Sequence, residues 1–466
     1  MSTESKSKVL ADARAAAVKA SPARERLNLL FDGNSFVELD AFAKVGDKGA
    51  GVVTGYGAID GSPVFAFAQD IESAGGAVGK IHAAKIKKVY ELAAKTGAPV
   101  IGIYDSNGAR LSEGNDALAA YGDMLQWSSN ISGVVPQVSL VLGTCAGTAA
   151  MIACNADFVV MSENAEFFLS AAGAGDAGKA ADAAKSGTAH LVLPTEAEAI
   201  GAARNLISML PLNNLAASPV CDFSEADAGA ALAAACENIA DADMRAILDS
   251  VFDANSVIEL QKDFGSDSVA ALATMGGFTC GAVAANGKLG RDDCAKIARL
   301  VSICDAYQIP VITFVNTEGF KACGEETLAG AVRESAKLAH VYAQATCVKV
   351  SVIVGAAYGS AYIALAGTNA GADVTYAWPC AVISALEPKT AVAFGLGAEI
   401  TADKSRADAE NEYKETTASA YTAAADGYIE DIIDPAATRS VLLSTLDMLA
   451  GKRVTGLPRK HSNIPM

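Results

Sequence analysis

Residues Val138–Ala153 read VSLVLGTCAGTAAMIA, and residues Lys349–Leu365 read KVSVIVGAAYGSAYIAL. Each opens as an apolar run of strand length, breaks at glycines, and resumes with small and apolar residues at helical spacing. The pattern predicts a buried strand, a tight turn and a helix packed close to the sheet. The first amides of such a helix have no partner inside it, and small side chains let a ligand approach them. Backbone donors in that position hold a developing oxyanion. A Gly/Ala-rich turn also serves plain close packing, so one copy decides little. A second copy decides more.

The repetition extends outward from the two turns. LLFDGNSFVEL at 29–39 returns as SVFDANSVIEL at 250–260, and APVIGIY at 98–104 returns as IPVITFV at 309–315. An offset this long is not that of a solenoid. It predicts two homologous domains, 1–225 and 245–466, with a linker at 226–244 inside an acidic, Ala-rich surface stretch. In each domain the order reads strand hairpin, helix, strand, helix, strand, turn, helix, strand, which implies a layered α/β core. Asp60-Gly61 marks the turn of the first hairpin. The stretch GAGDAGKAADAAKSG at 173–187 is low in complexity and expected to be mobile.

Composition narrows the function. A formal charge of -17 over 466 residues argues against nucleic acid or an anionic membrane as the main partner. The N-terminus is charged and helix-prone, with no apolar core of a signal peptide. Ten scattered cysteines without a Cys-x-x-Cys read as reduced thiols of a cytosolic protein. The four histidines (His82, His190, His340, His461) show no metal-ligand spacing, so no metal is expected. Val350–Ala372 is uncharged and long enough to span a bilayer, but its Ser, Thr, Asn and Gly content favours a buried strand and helix.

An ordered set of motifs runs through both halves: ARERL at 23–27, GVVTGYG at 51–57, FAQD at 67–70, GARLSEG at 108–114, CAG at 145–147, AYG at 357–359, YAWP at 376–379, IIDP at 432–435 and PRKHSNIP at 458–465. Together they resemble the carboxyltransferase subunits of biotin-dependent acyl-CoA carboxylases and of sodium-pumping acyl-CoA decarboxylases, of the propionyl-CoA carboxylase beta and methylmalonyl-CoA decarboxylase alpha type. The resemblance covers nearly the whole chain. It implies an α/β fold of two crotonase-like (ClpP/crotonase) domains, the first on the acyl-CoA side and the second on the biotin side. It also implies transfer of a carboxyl group between carrier-bound biotin and the α-carbon of a short-chain acyl-CoA. The biotin anion can take the α-proton, so the protein supplies backbone donors and positioning more than a His or Glu base.

Carried over by position, the resemblance makes Gly147 and Thr148 the hole for the thioester oxygen, and Ser360 and Ala361 the hole for the biotin ureido oxygen. The family usually has a glycine pair at each place; here the second glycine is Thr148 or Ser360, and the stiffer Thr narrows the acyl pocket. Acyl-CoA contacts are implied at Ala146, Gly108, Ala109, Arg110 and Lys80, with Ile363 where members differ in acyl preference. Biotin contacts are implied at Tyr358, Gly359, Gly319 and Phe320. After Phe168 the family's longer charged segment is replaced by Ala/Gly-rich sequence. The implied cofactor is biotin on a separate carrier protein, with a coenzyme A thioester as substrate. The implied partners are a biotin carboxyl carrier protein, a biotin carboxylase or membrane decarboxylase subunit, and further copies of the chain in a hexamer built as a trimer of dimers. The expected location is cytoplasmic, free or peripheral to a membrane complex.

Several other readings remain open at this level. Arg110 with Glu113 reads as an ion pair that organises its loop. Lys80, Lys85, Lys87 and Lys88 are a basic cluster that either meets CoA phosphates or forms a solvated helix face. Asp105 and Glu318 each follow a core strand, where active-site residues often lie. Ser106 and His82 lack the nucleophile elbow of a hydrolase. The decarboxylase direction, a crotonase-type hydratase or isomerase, and a non-catalytic scaffold are the alternatives.

Overall fold

The computed structural model describes residues 3–465 except 47, 171–177, 227–228, 322, 396–403, 455–456, 459–460 and 464. The chain divides into two compact units, Met1–Pro219 and Val220–Met466.

The first unit runs α1 (Thr3–Ala17), α2 (Pro22–Leu30), β1 (Val37–Leu39), the small pair β2 (Lys44–Val45) and β3 (Lys48–Gly49), β4 (Val52–Ile59), β5 (Ser62–Gln69), α3 (Lys80–Thr96), β6 (Val100–Tyr104) and α4 (Asn115–Asn130). It continues with β7 (Gln137–Val141), β8 (Thr144–Ala146), α5 (Thr148–Cys154), β9 (Phe158–Ser162), β10 (Glu166–Phe168), α6 (Ala180–Lys185), β11 (Leu191–Leu193) and α7 (Glu196–Met209). Its main sheet has the order β1-β4-β5-β6-β7-β9-β11. The β4–β5 hairpin is antiparallel and closes with Asp60 and Gly61 both at positive φ, 49° and 78°. That is the backbone a two-residue hairpin turn demands, hence the Asp-Gly. From β5 onward the strands are parallel, and β6, β7 and β9 are buried on both faces and so read as continuous apolar runs. α7 is fixed at its start by a capping box of Thr195 and Glu198.

The second unit begins with α8 (Gly229–Glu237), α9 (Met244–Val251), β12 (Ile258–Leu260), β13 (Ser268–Met275), β14 (Phe278–Leu289), α10 (Arg291–Ala306), β15 (Val311–Phe320), α11 (Gly324–Leu328) and α12 (Ala331–Gln344). β16 (Lys349–Tyr358), α13 (Gly359–Leu365), β17 (Val374–Ala377), β18 (Val382–Ser384), α14 (Pro388–Gly395), α15 (Arg406–Thr416), α16 (Ala420–Ala425), β19 (Asp431–Ile432) and α17 (Thr438–Leu449) follow. Its sheet has the order β12-β13-β14-β15-β16-β17-β19, with β18 also on β16. The plan of the first unit is thus repeated. The repeat extends to backbone strain: Asn34 and Asp40 hold left-handed φ of 61° and 52°, and Asn255 and Gln261 hold 59° and 51°.

Within the stretch read from the sequence as a linker, 226–244, the described residues 229–244 fold as part of the second unit. Leu232 on α8 and Met244 on α9 are buried in its core, and Val220 already pairs with Phe278. Of the low-complexity stretch 173–187, residues 173–177 lie outside the described residues, while Ala180–Lys185 is helical. Val350–Ala372 divides between β16, α13 and a 3-10 turn. Among the described residues no helix is long and apolar enough to cross a membrane.

Candidate active site

The first turn is assembled at the carboxyl end of β7. Tyr104 O, at the end of β6, accepts from Leu142 N and Gly143 N at 3.2 and 3.3 Å, and Ser106 N donates to Thr144 O at 2.9 Å. β8 then pairs with β10, Ala146 opposite Phe168. Gly147 has φ 64° and ψ -131°, a conformation closed to residues with a side chain. Its own N–H donates to Phe168 O at 2.9 Å. α5 starts at Thr148, and Ala150 N and Met151 N are the first to return to Gly147 O. The Thr148 and Ala149 amides therefore precede the first helical bond, and Ala146, Gly147 and Thr148 are all partly open to solvent.

Beside this turn runs the loop after β6. Ser106 Oγ donates to Gly76 O at 2.7 Å and accepts from Gly108 N at 3.1 Å, so it is a loop brace and not a nucleophile. Val78 N donates to Gly108 O and Arg110 N to Val78 O, both at 2.8 Å. These bonds tie Gly108, Ala109 and Arg110 to Val78, while the loop joins the first turn through Ser106 N and Thr144 O. Arg110 is buried and pairs with Glu113 at 3.4 Å, as its spacing suggested. Glu113 in turn accepts from Lys80 N at 2.6 Å.

The lysine cluster is dispersed around α3. Lys80 is exposed, Lys88 pairs with Asp40, and Lys85 is buried and donates to Val52 O at 3.0 Å. Burial lowers the Lys85 pKa. His82 is also buried, with Nδ1 3.2 Å from Ala50 O, so it stands apart from Ser106 in any triad. A cavity of about 550 Å³ lies between Arg24, Glu38, Asp70, Ser73 and Lys85; of the residues singled out in the sequence for acyl-CoA or biotin, only Lys85 of the basic cluster lines it.

The second turn repeats the design. β16 runs unbroken to Tyr358, Gly359 turns at φ 52°, and α13 carries Ser360 and Ala361 in its first turn. Asn316 Oδ1, after the core of β15, accepts from Ala356 N at 2.9 Å. Thr317 Oγ1 braces Gly287 O and Gly319 N as Ser106 does in the first unit. Ser360 and Ile363 are exposed, and together with Gly359 they line a cavity of about 580 Å³ closed by Ile383, Tyr413 and Tyr428. Tyr358, Gly319 and Phe320 do not line it. Tyr358 is buried, and burial followed by the Glu318 and Glu387 carboxylates pushes its phenol up to about 12. Glu318 is held near Lys288 at 3.7 Å.

One constellation escaped the sequence reading. Arg26 on α2 grips Glu196 with two bonds of 2.7 and 2.8 Å and Asp105 with a third of 2.7 Å. Burial opposes the Arg26 charge, but the bonds to Glu196 and Asp105 outweigh it and raise its pKa. Asp105 stood out only as an acid after a strand, and nothing local pointed to Arg26.

The carboxyl transferase domain family matches residues 20–464. The chain is 37% identical to the methylmalonyl-CoA decarboxylase subunit alpha of Veillonella parvula, over 95% of this chain and 93% of that one. It is 34% identical to the propionyl-CoA carboxylase beta chain of Saccharopolyspora erythraea, over 95% and 90% respectively. The crystal structure of transcarboxylase 12S, a hexamer with methylmalonyl-coenzyme A and methylmalonic acid bound, superposes with a TM-score of 0.92 at 32% identity and covers 100% of both chains. A long-chain acyl-CoA carboxylase shares the fold at TM-score 0.81 and 23% identity. The two units are accordingly a pair of crotonase-like domains.

Proposed function

The chain belongs to the carboxyl transferase family, and from that premise we propose that it moves a carboxyl group between carrier-borne biotin and the α-carbon of a short-chain acyl-CoA. The observation that carries this reading is the doubled strand–turn–helix, each copy presenting helix-start amides beside small residues. The first unit takes the thioester. Thr148 N–H is the donor toward its oxygen, which gains negative charge as the α-proton leaves. Gly147 contributes its positive φ, since its own amide is engaged with Phe168 O.

The second turn suits the ureido group of biotin. Gly359 reverses the chain without a side chain in the way, Ser360 and Ala361 present amides in the first turn of α13, and the cavity beside them has room for a fused ring system. When bound, biotin supplies or accepts the carboxyl group. The chain's own part is to orient that group, keep water out and hold the thioester oxygen. The acids nearest the first turn are engaged elsewhere: Asp105 with Arg26, Asp157 with Gln137 N and Glu166 with Thr144 Oγ1. That favours carboxyl transfer over hydratase or isomerase chemistry, which needs a carboxylate aimed at the acyl chain.

The partners that follow are a biotin carboxyl carrier protein, and either a biotin carboxylase or a membrane decarboxylase subunit. In a cytoplasmic hexamer, the acyl-CoA side of one copy meets the biotin side of the next. The relatives include both a decarboxylase and a carboxylase subunit, and the half-reaction runs either way. The test is carboxyl transfer from free carboxybiotin to a panel of CoA esters, and from methylmalonyl-CoA to free biotin in the reverse direction. Carboxylated acetyl- or propionyl-CoA, and biotin-dependent loss of carbon dioxide from methylmalonyl-CoA, are expected. Hydration of crotonyl-CoA without any transfer would overturn the proposal.

A further inference from the structure

We infer that Asp105, neutralised by Arg26 and locked through it to Glu196, is a positioning residue for the acyl-side turn. The inference rests on the reading above that this turn holds the thioester oxygen.

Asp105 lies between the two residues that tie the turn to the sheet. Tyr104 O receives Leu142 N and Gly143 N, and Ser106 N gives to Thr144 O. Its own N–H donates to Gln69 Oε1 at 3.1 Å. Its side chain packs directly under the turn, because a Cβ added at Gly143 would overlap the carboxylate. Arg26 Nη1 meets that carboxylate at 2.7 Å, and the two side chains are only 8% and 10% exposed. A shift of Asp105 is therefore a shift of the turn. A carboxylate left unneutralised in this poorly solvated place would also oppose charge developing on the other side of the turn.

The second unit supplies the control. The repeat places Ile247 where the first unit has Arg26 and Asn316 where it has Asp105. A Cβ at Gly355 would overlap the Asn316 carboxamide just as one at Gly143 would overlap Asp105. There the neutral Asn316 Oδ1 holds its turn by accepting from Ala356 N at 2.9 Å. The same scaffold is thus built without the charges. The ion pair is a property of the first turn and not of the fold.

The test uses the intact assembled enzyme and three variants: Arg26→Met, Asp105→Asn, and the two combined, which reproduces the neutral character of Ile247 and Asn316. Arg26→Met leaves a buried carboxylate behind the turn and frees it to move. Its kcat with acyl-CoA is expected to fall about a hundredfold, since a misplacement of about 1 Å costs that much. KM should stay within about threefold, because the contact is not one made to bound substrate. Decarboxylation of carboxybiotin without acyl-CoA, which uses the second turn, should be unchanged. Adding Asp105→Asn should recover roughly a factor of ten, because it removes the charge that Arg26→Met exposed.

A double variant no faster than Arg26→Met, or a loss found wholly in KM, overturns the inference. Should Arg26→Met not assemble, Asp105→Asn alone decides: a kcat lower by roughly tenfold at constant KM supports it, and an unchanged kcat overturns it. Thr148→Pro measured alongside separates the two levels. Full activity there removes the oxyanion reading and this inference with it; loss there, without recovery in the double variant, removes this inference alone.

Discussion

The two units are the same machine frame carrying different fittings. Arg24 pairs with Glu38 at 2.8 Å in the first, and Arg245 pairs with Glu259 at 2.6 Å in the second. Arg204 reaches Leu30 O and Asp32, while Arg439 reaches Val251 O and Asp253. Asp157 accepts Gln137 N, and Asp373 accepts Lys349 N. These ties recur because each fastens the same helix or strand end, so their repetition marks them as structural. The differences gather behind the turns. His82 occupies the place of Asp293, Lys85 caps one carbonyl where Lys296 caps two, and the Arg26–Asp105 pair stands against Ile247 and Asn316. What repeats builds the fold; what differs sets apart the surroundings of the two turns, which we propose serve different oxygens.

The strongest way to break this comparison is through a repeated tie whose burial differs. The Asp253 side chain is 1% exposed and that of Arg439 12%, against 32% for Asp32 and 24% for Arg204. Arg439→Met should destabilise the second unit by about 3–5 kcal/mol, because it leaves a buried carboxylate without its cation. Arg204→Met should cost about 1 kcal/mol or less, since water can serve Asp32. Each unit reports on itself in urea unfolding, as the only two tryptophans are Trp127 in the first and Trp378 in the second. Equal costs would mean that the two ties are not graded by burial.

Proline at the two turns asks whether they serve different oxygens. It removes a backbone N–H and is tolerated in a first helical turn. Loss of one oxyanion donor typically costs about 2.7–4 kcal/mol, or roughly a hundred- to a thousandfold in rate. Thr148→Pro should cripple acyl-CoA turnover yet spare acyl-CoA-independent decarboxylation of carboxybiotin. Ala361→Pro should damage both. Circular dichroism and oligomer size show whether each variant has assembled. A folded variant with normal transfer would reduce its turn to packing.

The frame was legible in the sequence because its signals are local. An apolar run ending in glycine marks β7 and the turn after it, Asp60-Gly61 marks a hairpin, and the repeat of Phe31-Asp32 at Phe252-Asp253 marks the second unit. The fittings were less legible because their partners lie far apart. Arg26 finds Asp105 across 79 positions and Glu196 across 170. Lys85 reads as one of a basic run, and only the docking of α3 against β4 shows that its ammonium caps Val52 O. That Gly147 gives its amide to Phe168 O depends on β8 pairing with β10, short strands with no pattern of their own. The stretch read as a linker carries helices because its Ala-rich acidic composition conceals buried apolar anchors, Leu232 and Met244.

The smallest expected effect separates the units by pH. His82 is fully buried and held neutral, with Nδ1 against Ala50 O and Nε2 3.4 Å from Gln69 Nε2. Burial, joined by the Arg110 and Lys85 charges, pushes its pKa down to about 3 from an ordinary 6.5. Between those values the unfolded chain binds a proton that the folded unit refuses. The stability His82 confers is therefore complete above about pH 6.5 and lost as pH falls toward 3, at up to about 1.4 kcal/mol per unit. Asp293, its counterpart, has its pKa raised by burial despite bonds from Gly290 N and Ser268 Oγ. It takes up a proton more readily folded than unfolded, so acid does not weaken the second unit by this route. Urea unfolding followed in Trp378→Phe and Trp127→Phe variants from pH 7 to 5 should show the first unit losing stability faster than the second. His82→Gln should flatten the first slope. Equal slopes, or a slope that survives His82→Gln, would show that the histidine is not the sensitive group. The result also bears on function, because Gln69 joins His82 to Asp105 N. Acid that strains this histidine should loosen the acyl-side turn before the biotin-side one.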